Sequence, residues 1–288
     1  MFDLSARLKR LLGATPLKMT EVTRGYTAAN RLLVEFSDGR RAFVKVATDA
    51  LTAGWLRDEY RIYKHVQGSF MPAMLAWEDG EHPLLVLEDL SLALWPQSWT
   101  NKSIAAVLDT LKLVGDSPVP KGMPSLETLR PDPSSWRSIA ANPENFLSLK
   151  LCTARWLENA LPTLIEVEES AILSGSKLLH LDVRSDNICF VGNRVVLVDW
   201  NWACVGNSLL EIVFWLPSVH LEGGPLPEQI VAGEPSLVAF VAGFWACRAG
   251  LPPPYSGATV RDLQLRQLKV ALPWCAKLLQ LPPLNISI

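Results

Sequence analysis

The chain has 288 residues, of which 49% are hydrophobic and 19% charged, with a net charge of −2 and a sequence pI near 6.1. That is enough apolar material for a sizeable core and too little charge for a disordered chain. No basic excess points to nucleic acid or to an anionic membrane, so neither is expected as a partner.

Leu4, Leu8, Leu11 and Leu12 recur at helical spacing, broken by Arg7, Lys9 and Arg10. The start reads as a short amphipathic helix and not as a signal peptide, because it lacks an apolar h-region. Leu32, Val34 and Phe36 alternate with polar neighbours, Asp38-Gly39 follows, and Ala42 to Val46 runs on. Asp-Gly between two such runs predicts a β-hairpin. Trp55 to Val66 has helical spacing, and Pro83 to Leu90 (PLLVLEDL) reads as a buried strand leading into a connection.

After Ser91 the character changes. Thr100 caps a helix predicted through Val114, and the Pro-rich stretch Pro118 to Pro133 reads as a loop. Asn145 to Leu173 carries one long helical pattern with Pro162 as its expected interruption. Ile188–Val191 and Val195–Val198 read as a second hairpin across Gly192-Asn193. Helical segments over Ser208–Val219, Glu228–Arg248 and Ala258–Leu279 close the chain. The expected fold class is α+β, with a small antiparallel β lobe at 1–90 and a larger, mostly helical lobe at 91–288. No stretch reaches the ~18 apolar residues of a membrane span. The five cysteines are scattered without a C-x-x-C pair, which points to a reducing cytoplasm. The eleven tryptophans are expected mainly in the core.

The segment that carries chemistry is His180-Leu181-Asp182-Val183-Arg184-Ser185-Asp186-Asn187, followed twelve residues after Asn187 by Asp199 at a strand end. Phosphoryl transfer needs a carboxylate facing the attacking hydroxyl. It also needs hard oxygen donors that hold Mg²⁺ against the phosphates. Upstream, Lys45 sits among apolar residues in Phe43-Val44-Lys45-Val46-Ala47, where burial requires an anionic partner. Taken alone, Lys45 also fits an edge-strand lysine that blocks aggregation.

HLDVRSDN, with VDWNWACVGNSLLEI after it, resembles the signatures of the aminoglycoside phosphotransferases, a family similar to choline, homoserine and fructosamine kinases. The resemblance covers most of the chain and is weakest over 101–173 and after Val219. It implies the two-lobed protein-kinase-like fold and an ATP- or GTP-dependent phosphotransferase acting, with Mg²⁺, on a hydroxyl of a small molecule. It implies Asp182 as the base, Asn187 and Asp199 as metal ligands, and Lys45 on the phosphates with Glu59 orienting it. It places the carbonyl of Glu88 and the amide of Leu90 at the adenine edge, with Arg24 to Asn30 covering the nucleotide. This sequence departs from the family at Leu181 (usually Gly), at Asn207 (usually Asp) and at Glu211, which stands where an Asp braces the catalytic loop. His180 reads as a structural residue. With Lys45, Asp182, Asn187 and Asp199 all present, an active enzyme is expected; the alternative is a catalytically silent nucleotide-binding protein of the same fold. The resemblance names no acceptor and no oligomeric state. Between Asn201 and the C-terminus five acidic residues face five basic ones, so no negative field gathers a polycation. Trp202, Trp215, Trp245 and Trp274 supply apolar faces instead. The expected acceptor is therefore a neutral or singly charged compound with an apolar part.

Overall fold

The computed structural model describes residues 3–22, 29–253 and 259–284. The chain divides into two units: Met1–Pro96 with Thr110–Met123 and His180–Ala203, and Gln97–Asp109 with Pro124–Leu179 and Cys204–Ile288.

In the first unit, α1 (Leu4–Leu12) starts where the Asp3 carboxylate accepts from the Ala6 N–H at 3.0 Å. It ends at Gly13, whose φ of 72° is open to glycine at no steric cost. Then come β1 (Pro16–Glu21), β2 (Asn30–Phe36), β3 (Arg41–Val46), α2 (Ala50–His65), β4 (Met74–Glu78) and β5 (Leu84–Glu88). The strands form one antiparallel sheet in the order β1-β2-β3-β5-β4. The Asp38-Gly39 hairpin forms as expected, joining β2 to β3. β1 was not legible, because Leu17 and Met19 stay exposed and leave no buried face to read. α2 starts five residues before the helical pattern at Trp55. Asp49 and Thr52 form a reciprocal capping box there.

The period-2 alternation of the strands gives the sheet two different faces. Val34, Phe36, Ala42, Val44, Leu84 and Val86 pack with Leu8 of α1. The opposite parity carries Arg31 and Leu33 on β2, Phe43 and Lys45 on β3, and Leu85 and Leu87 on β5. In register these form two rows, Arg31–Lys45–Leu85 and Leu33–Phe43–Leu87. The same unit holds a second hairpin, described below with the site.

The second unit is mostly helical. α3 (Asn101–Gly115), begun by the Thr100–Ser103 hydrogen bonds, contributes residues to both units. α4 (Ser135–Ala141), α5 (Glu144–Leu147) and α6 (Ala154–Glu169) follow. The single pattern expected over 145–173 is thus two helices. The break falls before α6, where Lys150 has φ 56° and Thr153 caps the new helix. Pro162 lies inside α6 without ending it. The carbonyl it deprives of a partner belongs to Glu158, which faces solvent, so water replaces the lost bond. β6 (Lys177–Leu179), β7 (Ile188–Val191), β8 (Arg194–Leu197) and β9 (Cys204–Gly206) come next, with β6 pairing β9 in the second unit. α7 (Ser208–Leu221), α8 (Pro227–Ile230), α9 (Pro235–Ala249) and α10 (Val260–Leu278) complete the chain. The segment expected as one helix over 228–248 is split into α8 and α9. Gly233 at φ 77° turns the chain, and Glu234 caps the helix that Pro235 opens.

Candidate active site

The loop His180–Asn187 and Asp199 are brought together by the short hairpin of β7 and β8. Gly192, at φ 57°, closes its turn. At its open end the Val198 N–H donates to the Asn187 carbonyl at 2.9 Å. Asn187, just before β7, and Asp199, just after β8, are therefore held at the same end of the ladder. Cys189 and Val196 anchor the hairpin against Leu90. Two residues of this region take the left-handed backbone region, Leu181 at φ 63° and Asp199 at φ 70°. At Leu181 that conformation explains why a glycine would serve there.

His180 is fully buried. Its Nε2 donates to the Val198 carbonyl at 2.9 Å, and its Nδ1 accepts from the Asp182 N–H at 3.3 Å. Those two bonds fix one neutral tautomer, and burial pulls its pKa down to about 4. The ring is thus a strut between the loop and β8, lying edge-on to Trp200 at 4.6 Å.

Asp182 follows directly. Asn187 Nδ2 donates to its Oδ2 at 2.8 Å and to its carbonyl at 2.9 Å. Arg184 stands 3.6 Å away, held in turn by a bidentate pair with Asp186. Burial pushes the Asp182 carboxyl above its usual value, and the Arg184 charge offsets part of that. A carboxylate poised in this way is suited to accepting a proton.

The second cluster centres on Lys45. β3 is the middle strand of the sheet, so the edge-strand reading of this lysine does not hold. Lys45 is 7% exposed, and its ammonium bonds both Glu59 oxygens and Asp199 Oδ1, all at 2.8 Å. Asp58, beside Glu59, points elsewhere and pairs with Arg61. The Trp200 backbone N–H also favours the charged form of the Glu59 carboxylate. Burial works against the ammonium, yet Asp199 and Glu59 outweigh it and hold Lys45 above its usual value. The same ammonium keeps Asp199 below the usual carboxylate range, against its partial burial. Asp199 therefore stays ionised, and with about a third of its side chain exposed it can still take a ligand.

The donor set fits a Mg²⁺ ion shared with a phosphate. Asn187 turns its amide nitrogen to Asp182, which leaves its carbonyl oxygen as the donor, and Asp199 offers an ionised oxygen. Among the described residues no group of three or more His, Cys, Asp or Glu could hold a metal by itself. One or two protein oxygens, completed by phosphate and water, is the way Mg²⁺ is usually held.

Glu88 and Leu90 stand apart from these clusters, at and just beyond the end of β5. The Glu88 N–H donates to the Ala73 carbonyl at 2.8 Å, and its carboxylate pairs with Arg194. Leu90 is buried against the β7–β8 hairpin. Of the covering loop Arg24–Asn30, residues 24–28 lie outside the described residues. In the second unit Glu211 is buried in the first turn of α7, which Asn207 caps by accepting from the Leu209 N–H at 3.1 Å. Of the tryptophans read as acceptor faces, Trp215 and Trp274 are buried core residues instead, 1% and 2% exposed, because α7, α9 and α10 pack on one another there. Trp202, at 56%, is exposed. Sequence reasoning did not single out Arg31, which lines the same cleft as Lys45, Glu59 and Asp199. Its place opposite a strand lysine in a predicted hairpin was the available signal.

The model of the phosphotransferase enzyme family matches residues 18–240. No curated protein matches the sequence. Among solved structures, the chain is similar to a spectinomycin phosphotransferase in complex with ADP and spectinomycin, at 11% identity and a TM-score of 0.62, covering 92% of each chain. It is also similar to a choline/ethanolamine kinase family protein from Mesorhizobium loti, at 14% identity and a TM-score of 0.61, covering 96% of this chain and 97% of that one. A third is a protein from Thermobifida fusca described as a candidate fructosamine-3-kinase, at 18% identity and a TM-score of 0.53, covering 94% of this chain and 98% of that one. The fold is the protein-kinase-like one, with an antiparallel sheet lobe and a larger helical part.

Proposed function

The chain belongs to the phosphotransferase enzyme family, and from that premise we propose that it moves the γ-phosphate of ATP or GTP to a hydroxyl of a small molecule. The observation that carries this reading is the presence of two partly buried polar clusters in one unit. A lysine is held by two carboxylates, and an aspartate with a raised pKa is held by an asparagine. In the proposed reaction the acceptor oxygen attacks the γ-phosphorus. The bond to the β-phosphate oxygen breaks, and the hydroxyl proton passes to the Asp182 carboxylate. Lys45 holds the nucleotide phosphates and Glu59 aims it. Asn187 and Asp199 would bind Mg²⁺, which neutralises phosphate charge. We assign residues 1–90 to nucleotide binding, with Glu88 and Leu90 at the base, and 91–288 to the catalytic loop and the acceptor. A cytoplasmic setting fits the scattered cysteines.

For the acceptor, a neutral or singly charged compound fits better than a polycation. The acidic residues of the helical unit are largely engaged in structure. Glu222 accepts from Trp99, Glu228 pairs with Lys277, Glu234 caps α9, Glu168 holds the start of α4 and Glu169 pairs with Arg137.

The test is ADP release across a panel of aminoglycosides, macrolides, amino alcohols, homoserine and sugars. Acceptor-dependent turnover is expected. Asp182→Ala should lower kcat by roughly 10²–10⁴ with nucleotide binding nearly intact. Nucleotide binding without turnover on any acceptor would favour the silent binding protein, and wild-type turnover by Asp182→Ala would remove the base assignment.

A further inference from the structure

The cleft above the Lys45 cluster has a charge problem if its ligand is an anion. Lys45 brings one positive charge, and Glu59 and Asp199 bring two negative ones, all in direct contact. Taken together those three side chains carry a net charge of −1 before any Mg²⁺ is bound, so the protein's own side chains need a further cation to favour an anion there. A second cation lines the cleft: Arg31, on β2, directly opposite Lys45 in the β2–β3 register. Directly opposed residues of an antiparallel pair project from the same face of the sheet. Arg31 therefore shares the face on which Lys45 meets Glu59, and it brings the four charges to neutrality. It also lies at one end of that face. The neighbouring row, Leu33–Phe43–Leu87, is apolar and ends beside Glu88. The face thus has a cationic row and an apolar row, side by side.

Building on the nucleotide reading above, we propose that Arg31 is a second phosphate-binding residue, gripping the anionic tail of the nucleotide beside Lys45 while the apolar row takes its base. Lys45 bonds two carboxylates while it lines the cleft. Arg31 is half-buried at the cleft wall, and its planar guanidinium can offer two parallel N–H donors to phosphate oxygens. With Arg31 in this role, affinity depends on the number of phosphates carried and not only on the base.

The experiment is calorimetric titration of the full chain with adenosine, AMP, ADP and ATP in Mg²⁺ at fixed ionic strength. It compares wild type, Arg31→Gln, Arg31→Lys and Lys18→Gln, the last an exposed charge on β1 of the same sheet. Wild type should tighten along the series. Arg31→Gln should weaken ADP and ATP by about 10–100-fold, the worth of charged hydrogen bonds, and leave adenosine within twofold. Arg31→Lys should weaken ATP several-fold, because an ammonium lacks the fork. Lys18→Gln should change nothing. The proposal is overturned if Arg31→Gln weakens ATP no more than adenosine, or if Lys18→Gln weakens ATP as much. Should Arg31→Gln not fold, Arg31→Lys carries the test, and wild-type ATP affinity in it overturns the proposal. A wild type that binds none of the four, or binds adenosine as tightly as ATP, removes the nucleotide reading itself and this inference with it.

Discussion

Among the glutamates that are buried almost completely, Glu59 in the first unit and Glu168 in the second invite comparison. Glu59 is 2% exposed and Glu168 is 1% exposed. Burial raises the pKa of both. They differ in what holds the charge. Glu168 accepts from the Ser135 and Trp136 backbone N–H groups at 3.0 and 2.8 Å. Those are first-turn donors of α4, whose own N-cap, Ser134, makes no side-chain cap bond. The carboxylate serves as the missing cap and meets the positive end of the helix dipole. Glu59 instead holds a lysine, which also touches a partly exposed aspartate beside an open cleft. Backbone donors cannot be handed to a ligand without unwinding a helix. An ammonium on a flexible stem can be shared with one. A buried charge is therefore a poor sign of function by itself, and the mobility of its partner is a better one.

The largest expected effect is at the mobile partner. Lys45→Met leaves Glu59 and Asp199 facing each other without the cation. Turnover should fall by about 10²–10³-fold, the usual cost of removing one electrostatic group from a transition state. Folding should survive, since one carboxylate reaches solvent and either can be protonated. A variant with wild-type kcat/KM would place Lys45 in the same structural class as Glu168 and break the contrast.

The converse holds at Glu168. Glu168→Ala orphans two buried backbone donors, at about 1–3 kcal/mol each, and should lower the unfolding free energy by roughly 2–6 kcal/mol. Turnover per folded molecule should stay near wild type at a temperature where the variant is folded. Chemical denaturation and active-site-normalised rates measure the two quantities separately. A stable but inactive Glu168→Ala would show that Glu168 acts on the chemistry, against the comparison.

The same contrast governs what the sequence could show. Alternation and Asp-Gly made β2 and β3 readable, and Gly192-Asn193 did so for β7 and β8, because burial of one face and a turn with φ > 0 leave marks in residue type. β1 and β6 left no such marks: one is exposed along most of its length and the other is three residues long. The helix breaks before α6 and α9 were invisible to periodicity, since apolar spacing continues across them while capping residues do the stopping. Within the site, Lys45, Asp182, Asn187 and Asp199 stood out by spacing and resemblance. Arg31 did not, because its place in the cleft follows from cross-strand register and not from any local motif. Glu168 looked like one acidic residue among several in a helix, and only the fold reveals the donors above it.

His180 sharpens the contrast from inside the site itself. It sits two residues from Asp182, yet both ring nitrogens are spent on backbone groups, as Glu168 is spent on Ser135 and Trp136. It should therefore behave as a structural residue, and its depressed pKa gives a way to test this. Burial depresses its folded pKa to about 4 from an ordinary 6.5, with Lys45 and Arg184 pushing the same way and Asp199 against. For a group depressed on folding, the unfolded chain binds the extra proton. The associated stability is whole above pH 6.5 and declines as pH falls toward 4. At pH 5 the loss should be about 2 kcal/mol, from roughly 1.4 kcal/mol per unit. His180→Gln, which keeps hydrogen-bonding capacity without titrating, should be less stable than wild type at pH 7 and should lose less between pH 7 and 5. Asp182, whose carboxyl is raised on folding, acts in the opposite sense in both proteins and largely cancels from the difference. Urea unfolding at the two pH values measures it. Equal losses in wild type and variant would mean that the ring already carries its proton when folded, which the single acceptor at Nδ1 and the single donor at Nε2 do not allow.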